Sequence, residues 1–208
     1  MPVVRDGVRY ALALGLLAAA LGVLIAPWGA VPPGAAALFC LYFFRDPERK
    51  VPAGHVCVSP ADGKVVQLRS EPDGRTLISI FLSVFDVHVN RMPIAGRVRS
   101  IRYSRGSFRL AHLEAASVEN EQNALVIDDA GGGGAVEVRQ IAGLIARRIV
   151  CRRKEGDFVQ KGERFGLIKF GSRVDVLLGD EWDVAVRLGE RVAGGVSVLA
   201  SRKQGGSE

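Results

Sequence analysis

Ala124-Leu125-Val126-Ile127-Asp128-Asp129-Ala130-Gly131-Gly132-Gly133-Gly134-Ala135-Val136-Glu137-Val138-Arg139-Gln140 is two strands and the turn between them. On either side of the glycines, apolar side chains return at every second residue. That period of two belongs to a strand with one dry face. The four glycines could suggest a phosphate-binding loop, but no Lys-Ser or Lys-Thr follows, and both flanks are strand-like. A flexible hairpin tip is the better reading.

Working outward, the same short alternating runs recur between Gly, Pro and Asp punctuation. They cover residues 56–58, 64–68, 76–81, 87–90, 96–103, 144–152, 164–170, 173–178 and 196–199. One helix at most is expected, around residues 108–117. The phrase Glu155-Gly156-Asp157-Phe158-Val159-Gln160-Lys161-Gly162-Glu163 reads as a turn feeding the next strand, as in small β-sandwich modules. The last residues, 201–208, are polar and glycine-rich, and are expected to fray.

The beginning of the chain differs in kind. Residues 10–26 carry no charge and consist almost entirely of Ala, Leu, Gly, Val and Ile. Seventeen residues are near the lower limit for a helix that spans a bilayer. Pro27, Trp28, Pro32 and Pro33 interrupt the run, and a second uncharged stretch follows over residues 34–44. Trp28 and the Tyr42-Phe43-Phe44 cluster suit an interfacial belt. Arg5 and Arg9 precede the first run, and Arg45, Arg49 and Lys50 follow the second. A hairpin with both ends on the cytoplasmic side is expected. A cleaved signal peptide is the weaker alternative, because a cut after Ala26 would place Pro27 next. The expected architecture is therefore a membrane-anchoring helical hairpin over residues 1–44, then a mainly β domain over 45–208. That domain would be a compact β-sandwich or barrel-like unit.

Composition narrows the function. With 208 residues, the chain has room for one domain and an appendage. Hydrophobic residues make up 48% and charged residues 24%, which excludes general disorder. Lys and Arg number 28 against 22 Asp and Glu, a balance of +6 that favours an anionic partner. Aromatics are only 7% and no nucleic-acid motif occurs, so a membrane surface is the better partner. Arg97, Arg99, Arg102 and Arg105, and the group Arg147, Arg148, Arg152, Arg153 and Lys154, could lie near anionic headgroups. Cys40, Cys57 and Cys151 form neither a C-x-x-C pair nor an even framework. The three histidines are too scattered for a metal site, and none is expected.

Three phrases could carry chemistry. In Ser59-Pro60-Ala61-Asp62-Gly63-Lys64, Asp62 alone would pass for a turn former. In Phe85-Asp86-Val87-His88-Val89-Asn90-Arg91-Met92-Pro93, His88 shares a face with Asp86 and Asn90, and is the histidine best placed for acid–base work. In Lys169-Phe170-Gly171-Ser172-Arg173-Val174-Asp175-Val176, a glycine leaves the carbonyl before Ser172 open to its hydroxyl. An N-to-O acyl shift needs that arrangement, though Gly-Ser is also a common loop dipeptide. No G-x-S-x-G elbow points to a serine hydrolase.

Taken in one order with Phe44-Arg45-Asp46-Pro47-Glu48-Arg49 and Asn120-Glu121-Gln122-Asn123, these phrases resemble the phosphatidylserine decarboxylase proenzymes, specifically the short membrane-anchored branch. The resemblance covers residues 40–180 closely. It implies self-cleavage between Gly171 and Ser172 into a large subunit, 1–171, and a small one, 172–208, that stay associated. Ser172 would become a covalent pyruvoyl group, a pyruvate cofactor made from the chain, which forms a Schiff base with the substrate amine. His88 would act as base and acid, with Asp62 orienting it. The implied reaction converts phosphatidylserine to phosphatidylethanolamine and carbon dioxide at the cytoplasmic face of the cell membrane. A higher oligomer is left open.

Two positions depart from the pattern: Arg91 stands where longer members have a second histidine, and Asn120-Glu121-Gln122 replaces Asn-Glu-Arg. If that arginine contacts phosphate in relatives, Arg91, Arg109 or another base must substitute. Competing readings are a noncatalytic β-sandwich carrier or adaptor, disfavoured because Lys169 sits inside an apolar strand, and a decarboxylase acting on an ether lipid.

Overall fold

The computed structural model describes residues 2–106, 120–132, 134–143, 148–169 and 172–203. The helix expected at 108–117 lies outside them, as do Arg109, Arg147, Gly171 and the last five residues. Two compact units divide between Glu48 and Arg49. The sequence places that boundary four residues earlier. Residues 45–46 fold back on the chain start, with the Asp46 N–H donating to the Pro2 carbonyl and Val3 bridging Arg45.

The first unit is a helical hairpin. Helix α1, Arg5–Leu24, leads through a 3₁₀ turn at Pro27–Ala30 into α2, Val31–Phe43. At 1.5 Å per residue α1 is about 30 Å long, the thickness of a bilayer core, whereas α2 reaches only about 20 Å. Among the described residues, α1 is the helix long and apolar enough to cross a membrane. Most of its large side chains are exposed, Leu16 at 73% and Val23 at 85%, as an element solvated by lipid would be. Gly7 lets the helices close up: a Cβ there would sit 2.3 Å from the Phe44 Cβ.

The second unit is mainly β, bearing out the expected class. Its central sheet is a curled half-barrel. Its strands are β2 (Gly63–Ser70), β3 (Thr76–Leu82), β5 (Gly96–Ser104), β6 (Gln122–Asp129), β7 (Ala135–Ala142), β9 (Phe158–Val159), β11 (Ser172–Leu178) and β13 (Arg191–Val192). They run in the order β13-β2-β3-β11-β7-β6-β5-β9, with every pairing antiparallel. Two three-stranded sheets join it: β1 (Val56–Val58), β14 (Val198–Arg202) and β12 (Trp182–Val184) in one, β4 (Val89–Arg91), β10 (Arg164–Lys169) and β8 (Arg148–Cys151) in the other.

The opening hairpin is β6 and β7. Leu125, Ile127, Val136 and Val138 are fully buried while the residues between them are not. Its tip turns at Gly132 and Gly134 with φ of 74° and 83°, values that need glycine. The core is formed by the inward residues of β3, β6, β7 and β11, including Ile78, Ile80, Val174 and Val176.

The strand expected at 87–90 starts later, at Val89. Residues 83–86 turn first, where the Ser83 N–H and hydroxyl both donate to the Asp86 carboxylate, each at 2.8 Å.

Candidate active site

Strand β11 lies at the centre of the large sheet. Ser172 begins it, opposite Leu82 of β3 on one side and Ala142 of β7 on the other. All three residues are fully buried, and the Ser172 hydroxyl has no hydrogen-bond partner among the described residues. Its lateral neighbours are apolar, so the sheet offers it no acceptor. A buried hydroxyl without a partner costs about 1–3 kcal/mol, and such a group calls for a reason other than stability.

His88 lies at the same end of the sheet. Its loop leaves β3 at Leu82, the register partner of Ser172. Its carbonyl accepts from the Ile168 N–H at 3.3 Å, four residues before Ser172. The His88 ring is 2% exposed, and its Nδ1 lies 2.9 Å from the Asp86 carbonyl oxygen. A carbonyl only accepts, so in the neutral ring Nδ1 carries the proton and Nε2 the lone pair. That tautomer can act as a base through Nε2.

Asp62 lies in the turn between β1 and β2, which enters the large sheet at the Ser172 end. The Pro60 carbonyl, in the same turn, accepts from the Arg91 N–H at 2.8 Å, which joins this turn to the strand following His88. The Asp62 carboxylate accepts 2.7 Å hydrogen bonds from Arg49 Nη2 and from the Gly194 N–H. The family resemblance implies that Asp62 orients His88. Here the Asp86 carbonyl makes that contact, and Asp62 clamps Arg49 and the 193–195 turn. The reason is local: Asp86 is two residues away, within reach of a ring that turns back on its own loop. The Asp86 carboxylate, placed by alternation on His88's face, instead serves Ser83 and Arg191 Nη1, at 3.1 Å from the latter.

Alternation along the sequence does not reveal the other buried polar groups here. A chain of amides runs from Asn123 Nδ2 to Gln140 Oε1 at 3.0 Å and from Gln140 Nε2 to Asn90 Oδ1 at 2.9 Å. Asn90 Nδ2 is buried without a partner among the described residues. On the opposite face of β11, Arg173 and Asp175 are fully buried, with Arg173 Nη2 donating to Asp175 Oδ2 at 2.9 Å. Their second approach, Nε to Oδ1 at 2.8 Å, is too oblique to be a hydrogen bond. Burial pushes the Asp175 carboxyl up, opposed by Arg173, Ser79 and Arg139. Arg91, one candidate for phosphate, is 6% exposed and gives Nη1 to the Gly162 carbonyl. It is built into the fold rather than presented to a headgroup.

A cleft of about 430 Å³, lined by His55, Asp129, Lys161 and Trp182, lies at the other end of the sheet. The length of β11 separates that end from Ser172, about 20 Å at the usual rise of a strand. The His, the buried Ser and the converging turns are therefore at the end away from this cleft.

The phosphatidylserine decarboxylase family model matches residues 36–200. The chain belongs to the phosphatidylserine decarboxylase family. It is 55% identical over 202 residues to a phosphatidylserine decarboxylase proenzyme of Solibacter usitatus, covering 97% of this chain and 98% of that one. A proenzyme of the same name from Syntrophus aciditrophicus is 44% identical over 209 residues, with 96% and 97% covered. One from Nitratidesulfovibrio vulgaris is 49% identical over 175 residues, with 81% and 80% covered. The protein is thus a decarboxylase whose family acts on phosphatidylserine, and its apolar first helix fits association with a membrane.

Proposed function

We propose that this decarboxylase is made as a precursor, cuts itself between Gly171 and Ser172, and uses the resulting pyruvoyl group to convert phosphatidylserine to phosphatidylethanolamine. The observation carrying the reading is Ser172: fully buried, without a partner among the described residues, at the first position of the central strand. A serine so placed is poor for stability, and a reactive role accounts for keeping it there.

In maturation, His88 Nε2 takes the hydroxyl proton as Ser172 Oγ adds to the Gly171 carbonyl carbon. Expulsion of the residue 172 nitrogen leaves an ester. Loss of the residue 172 α-proton then breaks the Cβ–Oγ bond and releases a chain ending in the Gly171 carboxylate. Water replaces the nitrogen of the resulting dehydroalanine, ammonia leaves, and position 172 is left as pyruvoyl. The residues present fit that group: its attachment point is dry, flanked by Leu82 and Ala142, with His88 at the same end of the sheet.

When formed, the group supplies a ketone that takes up the substrate amine and a sink for the electrons that carbon dioxide leaves behind. His88 returns a proton to the carbon that loses its carboxylate. The apolar surroundings of Ser172 disfavour the carboxylate and favour its loss. Asp62 is a positioning residue, holding the turn whose Pro60 carbonyl anchors the strand after His88. The large and small subunits stay together, and the hairpin, flanked by Arg5, Arg9, Arg45, Arg49 and Lys50, holds the enzyme at the cytoplasmic face of the cell membrane.

The test is the intact mass of the purified protein under denaturing conditions. Two chains divided after Gly171, the smaller beginning with pyruvoyl rather than serine, are expected. One uncut chain that still decarboxylates the lipid would remove the cofactor from the reading.

A further inference from the structure

Two apolar side chains stand out from the domain near His88. Phe85, three residues before it, is 65% exposed at the tip of the 83–86 turn. Leu188 is 66% exposed at the tip of the turn that leads into β13. Both tips are braced from within. Asp86 accepts from the Ser83 N–H, and Glu190 Oε2 accepts from the Arg187 N–H at 3.0 Å. Arg191 ties the two turns together through its 3.1 Å contact with Asp86. Lys64, Arg187 and Arg191 are exposed around them. The two acidic groups of the patch, Asp86 and Glu190, are occupied by the bonds that hold the turns.

Single exposed apolar residues are ordinary. This pair differs in position and in company. Both tips are held by hydrogen bonds within their own turns, Arg191 links them near the Ser172 end of the sheet, and cations surround them. The substrate's chemistry gives the pair a use. Each methylene of an acyl chain drawn into water costs about fourfold in equilibrium, so a lipid headgroup must react close to its bilayer. The domain must bring its reacting end to the surface.

We propose that Phe85 and Leu188 insert into the bilayer at the level of the headgroups, with Lys64, Arg187 and Arg191 meeting anionic phosphates around them. The surface is distinct from the helical hairpin. It rests on the proposed reaction only in that the site must face a lipid. The occupant is an anionic bilayer, which fits both the apolar tips and the positive rim.

Two readouts test this on the full-length protein. The first compares rates on phosphatidylserine in vesicles with rates on a short-chain phosphatidylserine kept monomeric in water. Phe85→Ser combined with Leu188→Ser should lower kcat/KM about tenfold on vesicles and leave the soluble substrate unaffected. Phe158→Ser is the control. Phe158 is 58% exposed on β9, whose pairing with Gly96 and Arg97 puts it at the far end of the sheet. Its variant should behave as wild type on both substrates. Equal loss on both substrates, no loss on vesicles, or the same loss from Phe158→Ser would overturn the docking surface.

The second readout needs no activity. Phe85→Trp, placed in a Trp28→Phe background and reconstituted in phosphatidylserine bilayers, should be quenched by brominated acyl chains beyond the Trp28→Phe parent. Quenching equal to the parent would refute insertion. If the enzyme turned over neither substrate yet Trp at position 85 were quenched, the reaction reading would fail and the membrane surface would stand.

Discussion

Removing the Ser172 hydroxyl should make the precursor more stable while making it useless. The hydroxyl is fully buried, its neighbours across the sheet are Leu82 and Ala142, and its oxygen has no partner among the described residues. Replacing it with a methyl hydrogen keeps nearly the same volume and drops the desolvation cost of an unpaired polar group, about 1–3 kcal/mol. The comparison needs two uncut proteins, because a matured chain no longer carries a serine there. His88→Ala supplies the reference, and Ser172→Ala added to it supplies the perturbation. At about 2–4 °C per kcal/mol for a chain of this size, the double variant should melt roughly 2–12 °C above His88→Ala. Thermal unfolding by circular dichroism in detergent, with mass spectrometry to show that both chains are intact, is sufficient. A lower melting temperature for the double variant would mean that the hydroxyl is satisfied in the folded precursor, and the idea of a serine held ready at the expense of stability would be wrong. Such trades of stability for activity are common at reactive sites.

Other outcomes follow from the same geometry. His88→Ala itself should block or greatly slow the cut, read as the fraction of intact chain over time, and normal maturation would take the base role from His88. Asp62→Asn should slow maturation more than it lowers the melting temperature, and should leave the pH dependence of the cut unchanged if Asp62 acts only by position; a shifted pH profile would give it a direct electrostatic role. In the uncut His88→Ala background, Arg173→Leu or Asp175→Leu should each cost about 3–5 kcal/mol in urea unfolding, because either leaves a charge buried alone, whereas the double variant should cost much less than the sum. Glu137 is subject to burial, which alone would raise its carboxyl, but hydrogen bonds from Arg139 and Arg75 outweigh that and hold it below the ordinary value of 4.5. A lowered folded pKa gives stability that is present above pH 4.5 and lost as pH falls through the depressed value. Glu137→Gln should therefore flatten the acid limb of stability against pH, and an unchanged limb would remove that ion pair as its source.

Much of this protein can be read in its sequence where one period governs. The 124–140 stretch shows its strands and tip because one face is dry and the other wet, and the same contrast marks the first half of β5. Strands β9, β12 and β13 are too short, at two or three residues, to display any period. Arg173 and Asp175 were hidden for a different reason. Both faces of β11 are buried, so its charged residues look like the wet side of a strand that has none. At the site, Ser172 and His88 could be found from phrase order, and the chain brings them to one end of one sheet. The partners of Asp62 could not, since Arg49 and Gly194 are fixed by loops whose paths no local pattern records.

The place of β11 has a consequence for the order of events. It pairs along its length with β3 and with β7, and the chain beyond it supplies β13 to one edge of the sheet and β12 and β14 to another sheet. A cut just before Ser172 would leave the smaller piece threaded through the middle of the larger one. Such a molecule can be assembled only as a single chain and divided afterwards. Once both pieces are melted apart, the larger would have to collapse with its central strand missing, and nothing would restore the connection that brought it there. The precursor should thus unfold reversibly and the matured enzyme only once, so that its working life is set by the rate at which the sheet first opens.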